Sequence, residues 1–263
     1  MSAPVTTPAD GLGRGRLADR VAIVTGAASG PGEAIARRFA AEGATVVVAD
    51  LDGDGAARVG KDLDAISLEG DITRTADVQR MVDVAAGEGP LKALVLSPAI
   101  ERRASLVDCT DDDWQRALDV NLKGPFLCMK AAIPVMCNSG GGSVIALGST
   151  LGLIVAPEYA AYCASKGALN NLCKQAAIEH AADGVRVNVI APSATDTGLF
   201  MKMTEQAPDP AALRAQIGAN MPMKRLGRAS EVCDAAVFLA SDESSYISGA
   251  VLPIDGGLAA RRQ

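Results

Sequence analysis

From Val21 onward, short apolar runs alternate with longer stretches whose apolar residues recur at helical spacing, the pattern of βαβ units feeding a parallel sheet. The runs predict strands at Val21 to Thr25, Thr45 to Ala49, Ala65 to Leu68, Ala93 to Ser97, Ser143 to Leu147, Val185 to Ile190 and near Ala250 to Ile254. Helices are predicted at about Pro31 to Glu42, Asp111 to Cys137 with a break near Gly124 and Pro125, Tyr159 to Ala182, and Ser230 to Leu239. Two of these have sharp starts. Thr110 caps an acidic first turn, and Ser230 precedes Glu231 ahead of an apolar stripe. The stretch 195–226 fits the alternation poorly; its Phe200, Met201, Met203, Leu213 and Ile217 predict an inserted lid around an apolar ligand, with a mobile surface loop as the other reading. The expected architecture is α/β: a flexible N-terminal tail at 1–18, then a single domain at 19–263 built on a doubly wound parallel sheet of about seven strands with helices on both faces.

Composition narrows the function. Hydrophobic residues make up 49% of the 263 and aromatics only 3%, so the core has to be built from Ala, Val, Leu and Ile. A net charge of −6 opposes binding to nucleic acid, because phosphate contacts need clustered cations. Six scattered cysteines without a C-x-x-C pair predict free thiols in a reducing cytoplasm. The start lacks the apolar run of a signal peptide, and no stretch reaches the roughly 18 apolar residues of a membrane span. The lone histidine, His180, falls near a helix C-terminus where it suits the helix dipole, and no ligand cluster predicts a catalytic metal.

Three features carry chemistry. After the first strand, T-G-A-A-S-G-P-G opens directly into a helix; Gly26, Gly30 and Gly32 allow a tight turn and close backbone approach to a pyrophosphate at the helix N-terminus. The second strand ends at Asp50, where a carboxylate can accept hydrogen bonds from a ribose diol and repels a 2′-phosphate, so NAD is expected over NADP, and Ser29, Leu51 and Asp52 add no cation. Tyr162 and Lys166 lie four apart and share a helix face, where an ammonium beside a phenol favours the phenolate and suits proton exchange with an alcohol. Ser149, just past a strand, stands ready to hydrogen-bond a substrate oxygen. A hydrolase is disfavoured because G-S-T-L-G has threonine at the nucleophile position.

In combination these residues resemble the short-chain dehydrogenase/reductase family over about Arg20 to Leu258. The likeness rests on T-G-x-x-x-G-x-G at Thr25, Asp50, D-I at Asp71, V-N-L-K-G at Val120, Ser149, Y-x-x-x-K at Tyr162, V-R-V-N-V-I-A-P ending at Pro192, and I-D-G-G at Ile254. The resemblance implies a Rossmann-like fold and an NAD(H)-dependent oxidoreductase that moves a hydride between nicotinamide and a secondary alcohol or ketone. It implies Tyr162 as acid/base, Lys166 holding the nicotinamide ribose and lowering the tyrosine pKa, Ser149 orienting the substrate oxygen, and Asn121 holding a proton-relay water. The implied cofactor contacts are Gly26, Ser29, Gly30, Pro31, Gly32, Asp50, Leu51, Asp71, Ile72, Ser97, Ala99, Tyr162, Lys166, Thr195 and Thr197. A homotetramer is also implied, paired through the two long helices.

Four departures stand out. L-S-P-A at Leu96 to Ala99 replaces the usual N-N-A-G, and Pro31 cannot donate the phosphate-loop N–H its position usually offers. Ser193 replaces a glycine, and Gly148 replaces a common serine. The first two keep a non-catalytic dinucleotide-binding protein as the alternative.

Overall fold

The computed structural model describes residues 15–261. One parallel sheet holds seven strands: β1 Val21–Thr25, β2 Thr45–Asp50, β3 Ile66–Glu69, β4 Leu91–Leu96, β5 Gly142–Leu147, β6 Val185–Pro192 and β7 Val251–Ile254. Their order is β3-β2-β1-β4-β5-β6-β7. The chain winds one way through β1, β2 and β3, then returns to the middle for β4, which opens a crevice beyond the C-terminal ends of β1 and β4.

The central strands are largely apolar because helices cover both faces. All five residues of β1 are buried, as an all-parallel sheet requires. On one face pack α1 (Gly30–Ala41), α2 (Gly53–Leu63) and α9 (Ala229–Ala240), through Ile35, Phe39, Val59 and Val237 among others. On the other pack α3 (Thr75–Glu88), α5 (Gly124–Asn138) and α6 (Ala160–Glu179), through Val78, Met129, Met136 and Leu169. This is the doubly wound, Rossmann-like arrangement the alternation predicts.

Several local details differ from the expectation. The long helix 111–137 divides into α4 (Asp111–Leu118), a π turn at Asp119–Lys123 and α5, so the irregularity precedes Gly124 rather than falling on it. Thr110 caps α4, accepting from the Asp113 N–H. Ser230 is not the cap of α9: the helix begins at Ala229, Glu231 reaches back to the Arg228 N–H at 2.7 Å, and Asp196 takes the Ala229 N–H at 2.7 Å. The stretch 195–226 contains two helices, α7 (Gly198–Glu205) and α8 (Pro210–Asn220).

At the N-terminus, residues 1–14 of the expected tail at 1–18 lie outside the described residues. Packing begins ahead of residue 19: Leu17 is buried in the α1/α9 layer, its N–H donates to the Glu42 carbonyl at 2.9 Å, and the Arg16 N–H donates to the Glu42 carboxylate at 3.1 Å. No described helix is long and apolar enough to cross a membrane.

Candidate active site

A cavity of about 700 Å³ occupies the crevice at the C-terminal edge of the sheet. At one end it is lined by Ser29, Gly30, Pro31, Asp50, Leu51, Asp71 and Ile72; in the middle by Gly26, Ser97 and Ala99; at the other end by Ser149, Tyr162, Lys166, Thr195 and Thr197. Of the seventeen residues expected at the site, fifteen line this one space, and Gly32 and Asn121 do not.

The phosphate-loop end is shaped by glycine. Gly26 and Gly30 have φ of +68° and +61°, a region costly for side chains. A Cβ on Gly32 would come within 2.0 Å of the Gly26 carbonyl oxygen, so Gly32 itself supports the turn from beneath instead of lining the cavity. Ser29 precedes α1 in extended conformation and makes no side-chain cap, so its hydroxyl is left to the cavity. Pro31 fits the first turn of α1, as proline should, and it packs closely on Gly198 at the start of α7, where an added Cβ would lie 2.7 Å from the proline ring.

Asp50 is held in place by main chain. One carboxylate oxygen accepts from the Ala28 N–H at 2.9 Å and the other from the Asp52 N–H at 3.0 Å, leaving each a free lone pair. Asp71 accepts from both the N–H and the hydroxyl of Thr73 at 2.8 Å, which fixes the turn before Ile72. A cation does approach from α2, which the sequence spacing does not reveal. Arg58 donates to the Ala28 carbonyl at 2.9 Å, but Glu33 takes the rest of its guanidinium at 2.9 and 3.0 Å.

At the other end, Ser149 follows β5 and opens a short 3₁₀ turn, Thr150–Gly152. That turn lies directly on α6, because Gly152 has no side chain where a Cβ would meet the Lys166 backbone at 2.9 Å. The contact sets Ser149 against Tyr162, with which it shares a side-chain hydrogen bond. Lys166 is buried beneath the pair, donates to the Leu147 carbonyl at 2.7 Å, and keeps its Nζ 5.7 Å from the Tyr162 ring centre.

The electrostatics correct one expectation. Burial raises the Tyr162 pKa above the ordinary tyrosine value, and the opposing influence comes from the Ser149 hydroxyl and not from Lys166. Burial also lowers Lys166 to about 8. The reason is geometric: both groups are desolvated, and the ammonium is turned toward a main-chain carbonyl.

Asn121 sits apart from the cavity wall, fully buried in the π turn. Its side chain accepts from the Ile100 N–H at 2.9 Å and donates to the Ile100 carbonyl at 2.9 Å and to the Ser165 hydroxyl at 3.1 Å. Gly148, one of the departures, is explained by β6: a Cβ there would lie 2.6 Å from Val189. Ser193 and Ala99 both face the cavity.

The sequence did not single out Glu101, Arg103 and Tyr159, which also line the cavity. Arg103 stacks 5.2 Å over the Tyr159 ring and pairs with Glu158 at 2.9 Å. Of the apolar lid residues, Phe200, Met203 and Ile217 line the cavity, whereas Met201 and Leu213 do not. Among the described residues, Cys137, His180 and Asp183 bring their ligand atoms within 4.8 Å of one another, but they sit where β6 begins, at the opposite edge of the sheet. His180 ends α6 there, its Nδ1 3.2 Å from Asp183.

A switch-point crevice with a glycine-rich helix start at one end and a Ser, Tyr and Lys cluster at the other defines a dinucleotide-binding oxidoreductase architecture. The family comparison agrees: a profile described as enoyl-(acyl carrier protein) reductase matches residues 26–259. The chain belongs to the short-chain dehydrogenase/reductase family and is an oxidoreductase acting on CH–OH groups.

It is 39% identical over 250 residues to cis-4-hydroxycyclohexanecarboxylate dehydrogenase of Sinomonas cyclohexanicum, covering 93% of this chain and 98% of that one. It is 38% identical over 248 residues to a 2,5-dichloro-2,5-cyclohexadiene-1,4-diol dehydrogenase of Sphingobium indicum, covering 92% and 97%. Among solved structures, the ligand-free aldohexose dehydrogenase of Thermoplasma acidophilum superposes with a TM-score of 0.87 at 34% identity, covering 95% of this chain and 98% of that chain.

Proposed function

We propose that the protein is an NAD(H)-dependent dehydrogenase of alicyclic secondary alcohols, with Tyr162 as the acid/base. The observation that carries this reading is the single cavity joining Asp50 at one end to Ser149, Tyr162 and Lys166 at the other. The named activities of the two curated relatives, on a hydroxycyclohexane and a cyclohexadiene diol, support a ring alcohol.

The residues fit a nicotinamide dinucleotide. A Cβ on Gly26 would meet the Pro98 backbone at 2.8 Å and one on Gly30 the Gly198 backbone at 2.8 Å, so only glycine permits this tight phosphate-loop turn, and the lone pairs of Asp50 suit a ribose diol. The paired Glu33 leaves Arg58 little charge for a 2′-phosphate, which together with Asp50 supports NAD over NADP. When bound there, the nicotinamide accepts or supplies the hydride.

In oxidation, Ser149 orients the alcohol oxygen and Tyr162 takes its proton; in reduction, Tyr162 returns it. Lys166 would hold the nicotinamide ribose, and its lowered pKa keeps it close to proton exchange near neutral pH. The side chain of Asn121 is fully engaged, so a relay role there falls to its main chain in the π turn. Thr195 and Thr197 line the end of the cavity that would take the nicotinamide, and α7 with α8 would form the substrate lid. The convergence of the three chemical side chains favours turnover over a purely binding role.

The test is a screen of secondary alcohols for NADH formation, paired with fluorescence titration of NADH and NADPH. Formation of NADH together with tighter binding of NADH than NADPH is expected. Equal or inverted affinity would remove the cofactor assignment, and silence across the screen would remove the activity.

A further inference from the structure

We propose that Glu101 is a specificity residue whose carboxylate accepts a hydrogen bond from a second hydroxyl of the substrate, so that the site takes ring diols in preference to simple ring alcohols. The inference rests on the dehydrogenase reading above and names the substrate class of that same site.

Glu101 lines the cavity and is only partly exposed, yet its carboxylate makes no hydrogen bond or salt bridge among the described residues. Burial raises its pKa, with only a longer-range attraction from Arg103 opposing. A partly buried carboxylate on a cavity wall without a protein donor is an open acceptor, and a ligand hydroxyl would form a charge-assisted hydrogen bond with it. The nearest cation, Arg103, directs one amino group to Glu158 and its face to Tyr159, and it makes no hydrogen bond to Glu101.

The carboxylate is also held in position. On one side, both main-chain polar groups of Ile100 are bound by the Asn121 side chain at 2.9 Å. On the other, the Ala104 N–H donates to the Glu158 carbonyl at 3.0 Å, in a bridge that pairs Ala104 with Tyr159. Glu101 lies between these two ties, on a segment anchored at once to the π turn and to the start of the Tyr162 helix. Its negative charge is felt at Tyr159 and Tyr162, which places it on the reacting side of the cavity.

The nature of the donor follows from the surroundings. A substrate carboxylate set directly against Glu101 would be repelled by it. A cationic substrate would meet Arg103, Lys166 and Lys202 in the same cavity. A neutral hydroxyl meets neither objection. The apolar Leu151, Phe200, Met203 and Ile217 suit the ring carbons that carry it.

The experiment measures kcat/KM with NAD for cyclohexane-1,2-diol, cyclohexane-1,4-diol, cyclohexanol and 2-aminocyclohexanol, using wild type, Glu101→Gln and Glu101→Leu. At least one diol should exceed cyclohexanol by about tenfold or more in wild type, mostly through KM, since a hydrogen bond to a charged group is being read. Glu101→Leu should bring that ratio close to one, and the isosteric Glu101→Gln should fall between. Equal use of diol and mono-alcohol by wild type, or a preference untouched in Glu101→Leu, overturns the proposal while leaving the dehydrogenase reading intact. Preference for the amino alcohol overturns it too, by making Glu101 a cation site. Absence of NADH formation with all four alcohols overturns the underlying reading as well.

Discussion

Tyr162 and Lys166 lie one helical turn apart, and the same burial acts on them in opposite senses. The phenol is pushed up and the ammonium down to about 8, in each case toward the neutral form. Tyr162→Phe should therefore leave NADH binding within error of wild type while lowering turnover by about 10²–10⁴-fold, measured by titration and steady-state kinetics. Ser149 supplies the leading interaction that lowers the phenol pKa, so Ser149→Ala should move the alkaline inflection of the oxidation pH profile to higher pH as well as slowing it.

Lys166 gives a stability prediction with a definite sign. Its folded pKa lies below the ordinary 10.5, so between about 8 and 10.5 the unfolded chain binds more protons and stability rises with pH. Below about 8 the cost of the buried charge is fully present. Lys166→Met should abolish turnover yet leave stability at pH 7 unchanged or higher by about 1–4 kcal/mol in urea titrations, the usual result when a buried charge gives way to an apolar side chain. A lower urea midpoint would contradict that balance.

Among the elements, α1 and α7 meet where Pro31 packs on Gly198, and there the missing N–H of proline bears on the cofactor. Pro31→Ala restores a donor at the helix N-terminus and should tighten NADH binding by about three- to tenfold, read by fluorescence titration. The strands were legible because sheet positions buried on both faces appear as unbroken apolar runs. The helices α2 and α3 were not singled out, although Val78, Met81, Val82 and Ala85 recur at helical spacing in α3, and three glycines disguise α2. Most of the site was legible for a different reason: glycines, Asp50 and the Tyr and Lys pair need fixed spacings to do their chemistry. Glu101 was not, since its position depends on the ties of Ile100 to Asn121 and of Ala104 to Glu158, which no local pattern encodes. Nor was Arg58, brought to the phosphate loop across 30 residues.

At the scale of the whole molecule, α4, α5 and α6 leave an apolar depression lined by Leu118, Leu122, Phe126, Ala168 and Leu172. Phe126 is 45% exposed and Ile178, further along α6, is 82% exposed. A homotetramer paired through these helices would cover them, and light scattering should return four times the chain mass of 26.8 kDa. Phe126→Glu with Leu172→Glu should shift that mass to smaller species without loss of the far-ultraviolet circular dichroism of the fold. A monomer in the wild-type protein would reject the assembly.

The engagement of Asn121 with Ile100 changes how substitutions at that asparagine should be read. Removing its amide would unpin the strip of chain that carries Glu101, so discrimination among alcohols should deteriorate together with catalytic rate. A variant impaired only in proton delivery would slow every alcohol by the same factor; one that has lost this pin would also reorder them.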